Sequence, residues 1–270
     1  MPELPEVETV KRTLASKITG AGIADVEIVA AKFIRNVPVA DFVRRVKGQR
    51  IGGITRRGKR LVLDLGEDFL VVHLMMAGRL LYHVRSDERA KHTHLILTLD
   101  NGAELRYVDL RHFGGVFLHS KAEGELWANL GPEPLEDAFS IAYFREALWS
   151  KKGKIKPYLL DQKLVVGLGN IYADECLFRA GIHPARPASS LVEAEVDRLH
   201  RAIREILSEA IAHRGTTFAT YVDGEGRKGE YGSMLKVYRR AGEPCPTCRT
   251  PISKLRLGGR TAHFCDVCQS

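Results

Sequence analysis

No stretch of this 270-residue chain is apolar for long enough to cross a bilayer. The best run, FLVVHLMMA from Phe69 to Ala77, is strand-sized and falls short of the ~18 residues that a membrane span requires. The N-terminus lacks a basic region followed by an apolar segment, so neither a secretory signal nor a membrane partner is expected. Cysteine is scarce and uneven: five in all, four of them from Cys245 onward, with Cys176 alone. An odd, clustered set does not suit a disulfide framework. It suits metal binding in a reducing compartment. Internal repeats and low-complexity tracts are also missing.

What is present is an ordinary core and an excess of positive charge. Hydrophobic residues make up 44%, which is enough to bury a core and argues against disorder. Lysine and arginine exceed the acidic residues by 41 to 33, giving a formal net charge of +8. The sequence pI is about 9.3. Composition alone leaves two readings open, a protein that is merely basic and one that neutralises a polyanion.

Val7, Val10, Leu14 and Ile18 recur at helical spacing, with Pro5 in the first turn and Gly20 at the end. Glu6 and Glu8 suit the positive end of that helix's dipole. Residues 21 to 120 change character, with short alternating runs and a hairpin signal at Asn101-Gly102. They predict mostly antiparallel strands in a two-layer β-sandwich. Beyond Gly131–Pro134 the pattern turns helical, with a short helix in SIAYFREALWS and a long one in VEAEVDRLHRAIREILSEAIAH. The glycine-rich DGEGRKGEYGS reads as a mobile loop.

Cys245, Cys248, Cys265 and Cys268 form two C-x2-C units, a zinc signature. Four thiolates close the tetrahedral shell, so the ion is expected to be structural. Between the pairs, two short strands meet at Gly258-Gly259, which places Arg260 at a hairpin tip. Spacing alone divides evenly between a solvated arginine and a phosphate ligand. Gly167 and Gly169 precede Asn170, which reads as the N-cap of a helix. A phosphate-binding turn is the alternative, and without context the plain cap is favoured. Cys176 reads as a small buried hydrophobe. Pro2 becomes a secondary amine if Met1 is removed, with Glu3 beside it to move protons. On the residues alone, a simple helix start is favoured.

The order and content of MPELPEVET, RRGKRLVLDL, HLMMAGRL, DLRHFGG, LGPEPL, DQKLVVGLGNIYADE, AGIHP, GTTF, VYRRAGEPC and RTAHFC change that balance. Together they resemble formamidopyrimidine-DNA glycosylase from residue 1 to residue 268. The resemblance implies an α+β chain. An N-terminal helix and antiparallel β-sandwich (1–134) would precede a helical helix-two-turns-helix domain (135–240) and a zinc-ribbon β-hairpin finger (241–270), with one structural Zn2+. It implies removal of oxidised purines from double-stranded DNA lying in a basic cleft between the halves, followed by β,δ-elimination.

It also implies roles for particular residues. Pro2 is the nucleophile and Glu3 the proton-transfer group, with Lys59 and Arg260 at the lesion phosphates. Met76, Arg111 and Phe113 fill the space left by the extruded base, and Asn170 grips phosphate. His92 and Lys154 also face DNA. The loop around Gly224–Gly232 corresponds to one lying over the everted purine. The segment DLRHFGG departs from a common family form that has proline before the arginine and arginine after it. A cytoplasmic, nucleoid-associated bacterial monomer is expected. Two other readings remain: a sibling glycosylase for oxidised pyrimidines, and a non-catalytic zinc-finger DNA-binding protein. Leu4 and the LRHF segment count against the sibling.

Overall fold

The structure, a computed structural model, describes residues 1–84, 86–123 and 126–270. These form two units, Met1–Ala128 with His213–Glu230, and Asn129–Ala212 with Tyr231–Ser270. A segment that lies beyond the long helix in sequence joins the first unit.

Helix α1 (Leu4–Ile18) forms where the apolar spacing placed it, burying Leu4, Val7, Val10, Leu14 and Ile18. Glu3 is its N-cap, and the Glu6 carboxylate accepts the Glu3 N–H at 2.7 Å. Pro5 occupies the first turn, where a missing N–H costs nothing. Glu6 therefore does more than complement the dipole. It also accepts the Thr216 N–H at 2.7 Å, and so ties the helix start to the returning segment.

Strand β1 (Ile23–Ile28) is followed by a helix that the strand-like reading missed, α2 (Val39–Val46), which buries Phe42 and Val46. Then come β2 (Gly53–Arg57), β3 (Arg60–Asp64), β4 (Asp68–His73), β5 (Gly78–Val84), β6 (Thr93–Leu99), β7 (Ala103–Asp109) and β8 (Gly115–Ser120). Among the described residues they build two four-stranded antiparallel sheets, ordered β1-β6-β7-β5 and β2-β3-β4-β8. Alternate residues, such as Leu61 and Leu63, Leu95 and Leu97, and Val116 and Leu118, enter one core with α1. That period of two is what a sandwich face requires.

Consecutive strands β4 and β5 lie in different sheets, as do β7 and β8. The chain therefore crosses between sheets at residues 74–77 and again at 110–114. His73 pairs with Gly115, and Gly78 pairs with Asp109, so both crossings leave the same end of the sandwich.

The segment read as a mobile loop is instead pinned. Gly224 N donates to Thr13 Oγ1 at 3.0 Å, Tyr82 N donates to Gly224 O at 2.9 Å, and Asp223 pairs with Arg214. Two of its glycines serve close approach. A Cβ on Gly224 would lie 2.5 Å from Leu14, and one on Gly229 would lie 2.3 Å from the Gly215 carbonyl.

The second unit holds α3 (Ile141–Trp149), α4 (Ile155–Leu159), α5 (Asn170–Ala180) and α6 (Glu193–Ala212), then a hairpin of β9 (Ser253–Leu257) and β10 (Arg260–Phe264). Ser140 Oγ accepts Tyr143 N–H to cap α3, and Gly181 at φ +71 ends α5. Cys176 is fully buried on α5, as expected of a small hydrophobe. Among the described residues, no helix is long and apolar enough to cross a membrane.

Candidate functional site

Pro2 and Glu3 are buried at the start of α1, while Met1 is 46% exposed. One turn further on, Glu8 holds Lys11 at 2.7 Å, Arg12 at 2.8 Å and Arg56 at 3.1 Å. Burial pushes the Glu8 carboxyl up, but the three cations outweigh it and hold it below the usual carboxylate value. Arg56 Nη1 also donates to Gly58 O at 3.0 Å. The helix start is thereby tied to the β2–β3 turn, Gly58-Lys59.

That turn lies at the crossing end of the sandwich, because Arg60 pairs with His73. Sequence reading missed His73. Burial, then the Arg60 and Lys59 charges, push its pKa down to about 4. The signal was available only as HLMMAGRL, where one histidine in an apolar run reads as strand. The shift has a measurable consequence. The unfolded chain protonates this group near 6.5, so the neutral His73 contributes stability fully above that pH, and the contribution is lost as pH falls toward 4. In urea unfolding from pH 7 to pH 4, His73→Gln should remove on the order of 2–3 kcal/mol of acid sensitivity. An unchanged pH slope would count against the neutral, half-buried imidazole.

The two crossings carry Met76, Arg111 and Phe113. Met76 is 37% exposed and Phe113 52% exposed, so neither is spent on the core. The Arg111 guanidinium lies over the Phe113 ring, 5.4 Å from its centroid. Asp109 organises the turn. Its carboxylate accepts N–H groups from Arg111 at 3.0 Å, His112 at 3.1 Å and Gly114 at 2.8 Å. Gly114 is required there, since a Cβ would meet Tyr107 Oη at 2.1 Å and His73 O at 2.6 Å. His92 stands at the same end, its carbonyl accepting from Asp109 N at 3.0 Å. The first unit thus gathers Lys59, His73, Met76, His92, Arg111 and Phe113 at one end.

In the second unit the expected cap is corrected. Gly169 is the N-cap of α5, and Asn170 is the first helical residue. The extended backbone at Gly169, φ −132 and ψ −162, moves the cap back by one residue. The Asn170 amide is then available for other work. Its Nδ2 donates to Thr261 O at 3.1 Å, while its Oδ1 is buried with no hydrogen-bond partner among the described residues. The preceding loop is fixed by Gln162, which accepts Gly167 N–H at 2.9 Å and donates to Leu168 O at 3.0 Å.

Thr261 follows Arg260, so its carbonyl sets where the hairpin tip lies relative to α5. A second donor reaches the same carbonyl, Lys156 Nζ at 2.8 Å. Lys156 is fully buried against Asp174 at 2.6 Å, and Asp174 also accepts His263 N–H at 2.9 Å. These long-range partners were invisible in the sequence. Lys154, by contrast, is exposed at the start of α4, near exposed Lys151 and Lys152. Breaking one side of the buried pair leaves a charge uncompensated. Lys156→Met should therefore cost about 3–5 kcal/mol in chemical unfolding, and Lys156→Met with Asp174→Leu should recover most of it. Equal stability of the single variant and the parent would refute the clamp.

The hairpin turn is Gly258-Gly259, at φ +53 and +76, with Leu257 opposite Arg260. Arg260 is exposed at the tip, as its spacing implied. Cys245, Cys248, Cys265 and Cys268 bring their sulfurs within 4.8 Å of one another. The Cys245–Cys268 and Cys248–Cys265 Sγ separations are 3.8 and 3.3 Å. A tetrahedral ion with Zn–S bonds of ~2.3 Å places its sulfurs roughly 3.8 Å apart, so the donor set fits one structural zinc. Hydrogen bonds from Thr250 push the Cys248 thiol down to about 6, which favours the thiolate that zinc requires. Gln269 links this centre to the end of α5, accepting Cys265 N–H at 2.8 Å and donating to Ile182 O at 2.9 Å.

Three family models match the chain. They are the formamidopyrimidine-DNA glycosylase N-terminal domain over residues 1–116, the formamidopyrimidine-DNA glycosylase H2TH domain over 130–222, and the zinc finger found in FPG and IleRS over 242–270. A formamidopyrimidine-DNA glycosylase from Heliobacterium modesticaldum is 49% identical over 278 residues, with 100% of both chains covered. Another, from Pelotomaculum thermopropionicum, is 45% identical over 273 residues, covering 100% of this chain and 99% of the relative. The structure of a Lactococcus lactis FPG mutant in complex with Fapy-dG-containing DNA matches with a TM-score of 0.93, at 40% identity and 99% coverage of each chain. That of Lactococcus lactis Fpg with abasic-site DNA matches with a TM-score of 0.92, at the same identity and coverage.

Proposed function

The chain belongs to the formamidopyrimidine-DNA glycosylase family, and from that premise we propose that it is a base-excision repair glycosylase and abasic-site lyase acting through Pro2. Its substrate is double-stranded DNA carrying an oxidised purine, 8-oxoguanine or a formamidopyrimidine, or an abasic site. One observation carries the reading. The buried Pro2–Glu3 terminus is tied, through Glu8 and Arg56, to the end of the sandwich that presents Lys59, Met76, Arg111 and Phe113.

Removal of Met1 makes the Pro2 nitrogen a secondary amine. Its lone pair attacks C1′, the bond from C1′ to the damaged base breaks, and Glu3 moves the proton that opens the sugar ring. The resulting iminium acidifies the C2′ proton, so the 3′ phosphate leaves by β-elimination and the 5′ phosphate by δ-elimination. Lys59, Asn170 and Arg260 hold the phosphates around the everted nucleotide, and His92 and Lys154 hold more distant ones. Phe113 and Met76 wedge into the gap while Arg111 hydrogen-bonds the orphaned base, which offsets a few kcal/mol of unstacking. The pinned loop 223–232 lies over the everted base. Zinc supplies rigidity at the Arg260 hairpin and no chemistry. The protein works as a monomer in the bacterial cytoplasm, at the nucleoid.

Duplexes with a single 8-oxoguanine opposite cytosine, or a single dihydrouracil, test the assignment. Nicking of the purine-lesion strand at the higher kcat/KM supports it. A reversed preference would reassign the chain to oxidised pyrimidines, and binding without nicking would leave only a DNA-binding protein.

A further inference from the structure

The crossing end of the sandwich holds a second group of metal-ligating side chains, unrelated to the four thiols. His92, His94 and His112 each offer a ring nitrogen, and the three nitrogens lie within 4.8 Å of one another. His94 lies on β6, and His92 immediately precedes that strand, with ring centroids 6.4 Å apart. His112 comes from the Asp109-organised turn. Their rings meet closely, with centroids 5.2 Å apart for His94–His112 and 5.8 Å for His92–His112.

We propose that His92, His94 and His112 form a three-imidazole site for a divalent transition metal ion of the zinc class.

Three features support this. His94 Nε2 lies 3.0 Å from the Asp109 carbonyl, which can only accept, so Nε2 carries the proton and Nδ1 keeps its lone pair. Metal-bound histidines are typically oriented by such a bond from the other ring nitrogen. Asp109 also fixes the backbone that carries the third ring, because its carboxylate accepts the His112 backbone N–H at 3.1 Å. Finally, His112 Nδ1 already faces a cation, with Lys32 Nζ at 3.2 Å. Lys32 is exposed and its ammonium can swing away, whereas the His94 ring stacks on Phe33 and the His112 ring meets Phe33 edge-on.

His92 and His112 both take left-handed backbone, at φ +67 and +59. Such conformations are uncommon for a side chain with a Cβ and collect at functional sites. A tetrahedral ion with Zn–N bonds of ~2.0–2.1 Å needs its nitrogens roughly 3.4 Å apart, a closure that the exposed His112 turn can make. Three neutral nitrogens favour zinc, cobalt, nickel or copper over magnesium or calcium, and leave one coordination position open. Because His112 stands between Arg111 and Phe113, an ion here would tie the exposed turn to β6.

Tag-free protein with its thiolate centre already loaded tests the site. Titration with Zn2+ by calorimetry should show one further equivalent. Titration with Co2+ should give d–d bands of nitrogen ligation without thiolate charge transfer. His112→Ala changes an exposed side chain and should keep the melting temperature, yet weaken the added equivalent at least ~10-fold. Lys32→Ala should strengthen it by removing the competing ammonium. Absence of a further equivalent at millimolar Zn2+, or undiminished binding by His112→Ala, would overturn the proposal.

Discussion

A chain that keeps any residue ahead of Pro2 is expected to lose strand cleavage by about 10³-fold or more, while binding abasic-analogue DNA nearly as tightly as the processed chain. The reason is the state of one nitrogen. Behind another residue, the Pro2 nitrogen is a tertiary amide whose lone pair is delocalised, and it cannot add to a sugar carbon. Freed, it is an α-amine with a reference pKa of roughly 7.7–8.0, so about a quarter of it is neutral near physiological pH. The surroundings are built for placement. Pro2 and Glu3 are buried, and Glu6 fixes the cap through Glu3 N–H and Thr216 N–H. The residues proposed to hold DNA lie on other elements and are untouched by such an extension, so affinity should survive. Gel-shift and single-turnover nicking on the same preparation separate the two effects. Full nicking by an extended chain, with the extension confirmed by mass spectrometry, would remove Pro2 from the chemistry.

Loss of zinc is expected to have the next largest effect. Cys265 and Cys245 are fully buried and form, with Val237 and Ile252, a small core against which Phe178 packs. Metal binding at such thiolate sites contributes about 10–16 kcal/mol of folding free energy. In Cys265→Ala, or after chelation, β9 and β10 should therefore disorder, while the sandwich of the first unit persists. Arg260 then loses the placement that Thr261, Asn170 and Lys156 give it. DNA affinity should fall roughly 100-fold, and the slope of log K against log salt should shrink by ~0.9 for each phosphate that is no longer neutralised. Arg260→Ala, with zinc retained, should reproduce one phosphate's share of that slope. A chelated protein that kept both its hairpin and its affinity would contradict the structural role of the ion.

Much of this architecture was legible locally. The periodicity of α1, the Gly258-Gly259 turn and the paired C-x2-C units each depend on residues a few positions apart, and each formed as read. Asn170 shows the limit of local reading, because the cap moved to Gly169 through backbone geometry that no spacing reveals. The segment 223–233 shows another limit. Its glycines look flexible in sequence, yet Gly224 accommodates Leu14 from the far end of the chain and Gly229 lies against the Gly215 carbonyl. His73 and the Lys156–Asp174 pair stayed hidden for the same reason. Each looks like an unremarkable residue until strand register or helix packing supplies its partner. The resemblance of the whole chain, not local physics, turned Pro2 from a helix start into the proposed nucleophile.

The central claim is that Pro2 bonds covalently to the lesion sugar. Mixing the processed protein with an 8-oxoguanine·cytosine duplex and borohydride tests it most directly, with the adduct digested and sequenced by mass spectrometry. The account predicts one stable protein–DNA adduct per active site, with the deoxyribose remnant on the Pro2 nitrogen. An adduct mapped to a lysine, or none formed while the strand is still cut, would contradict it.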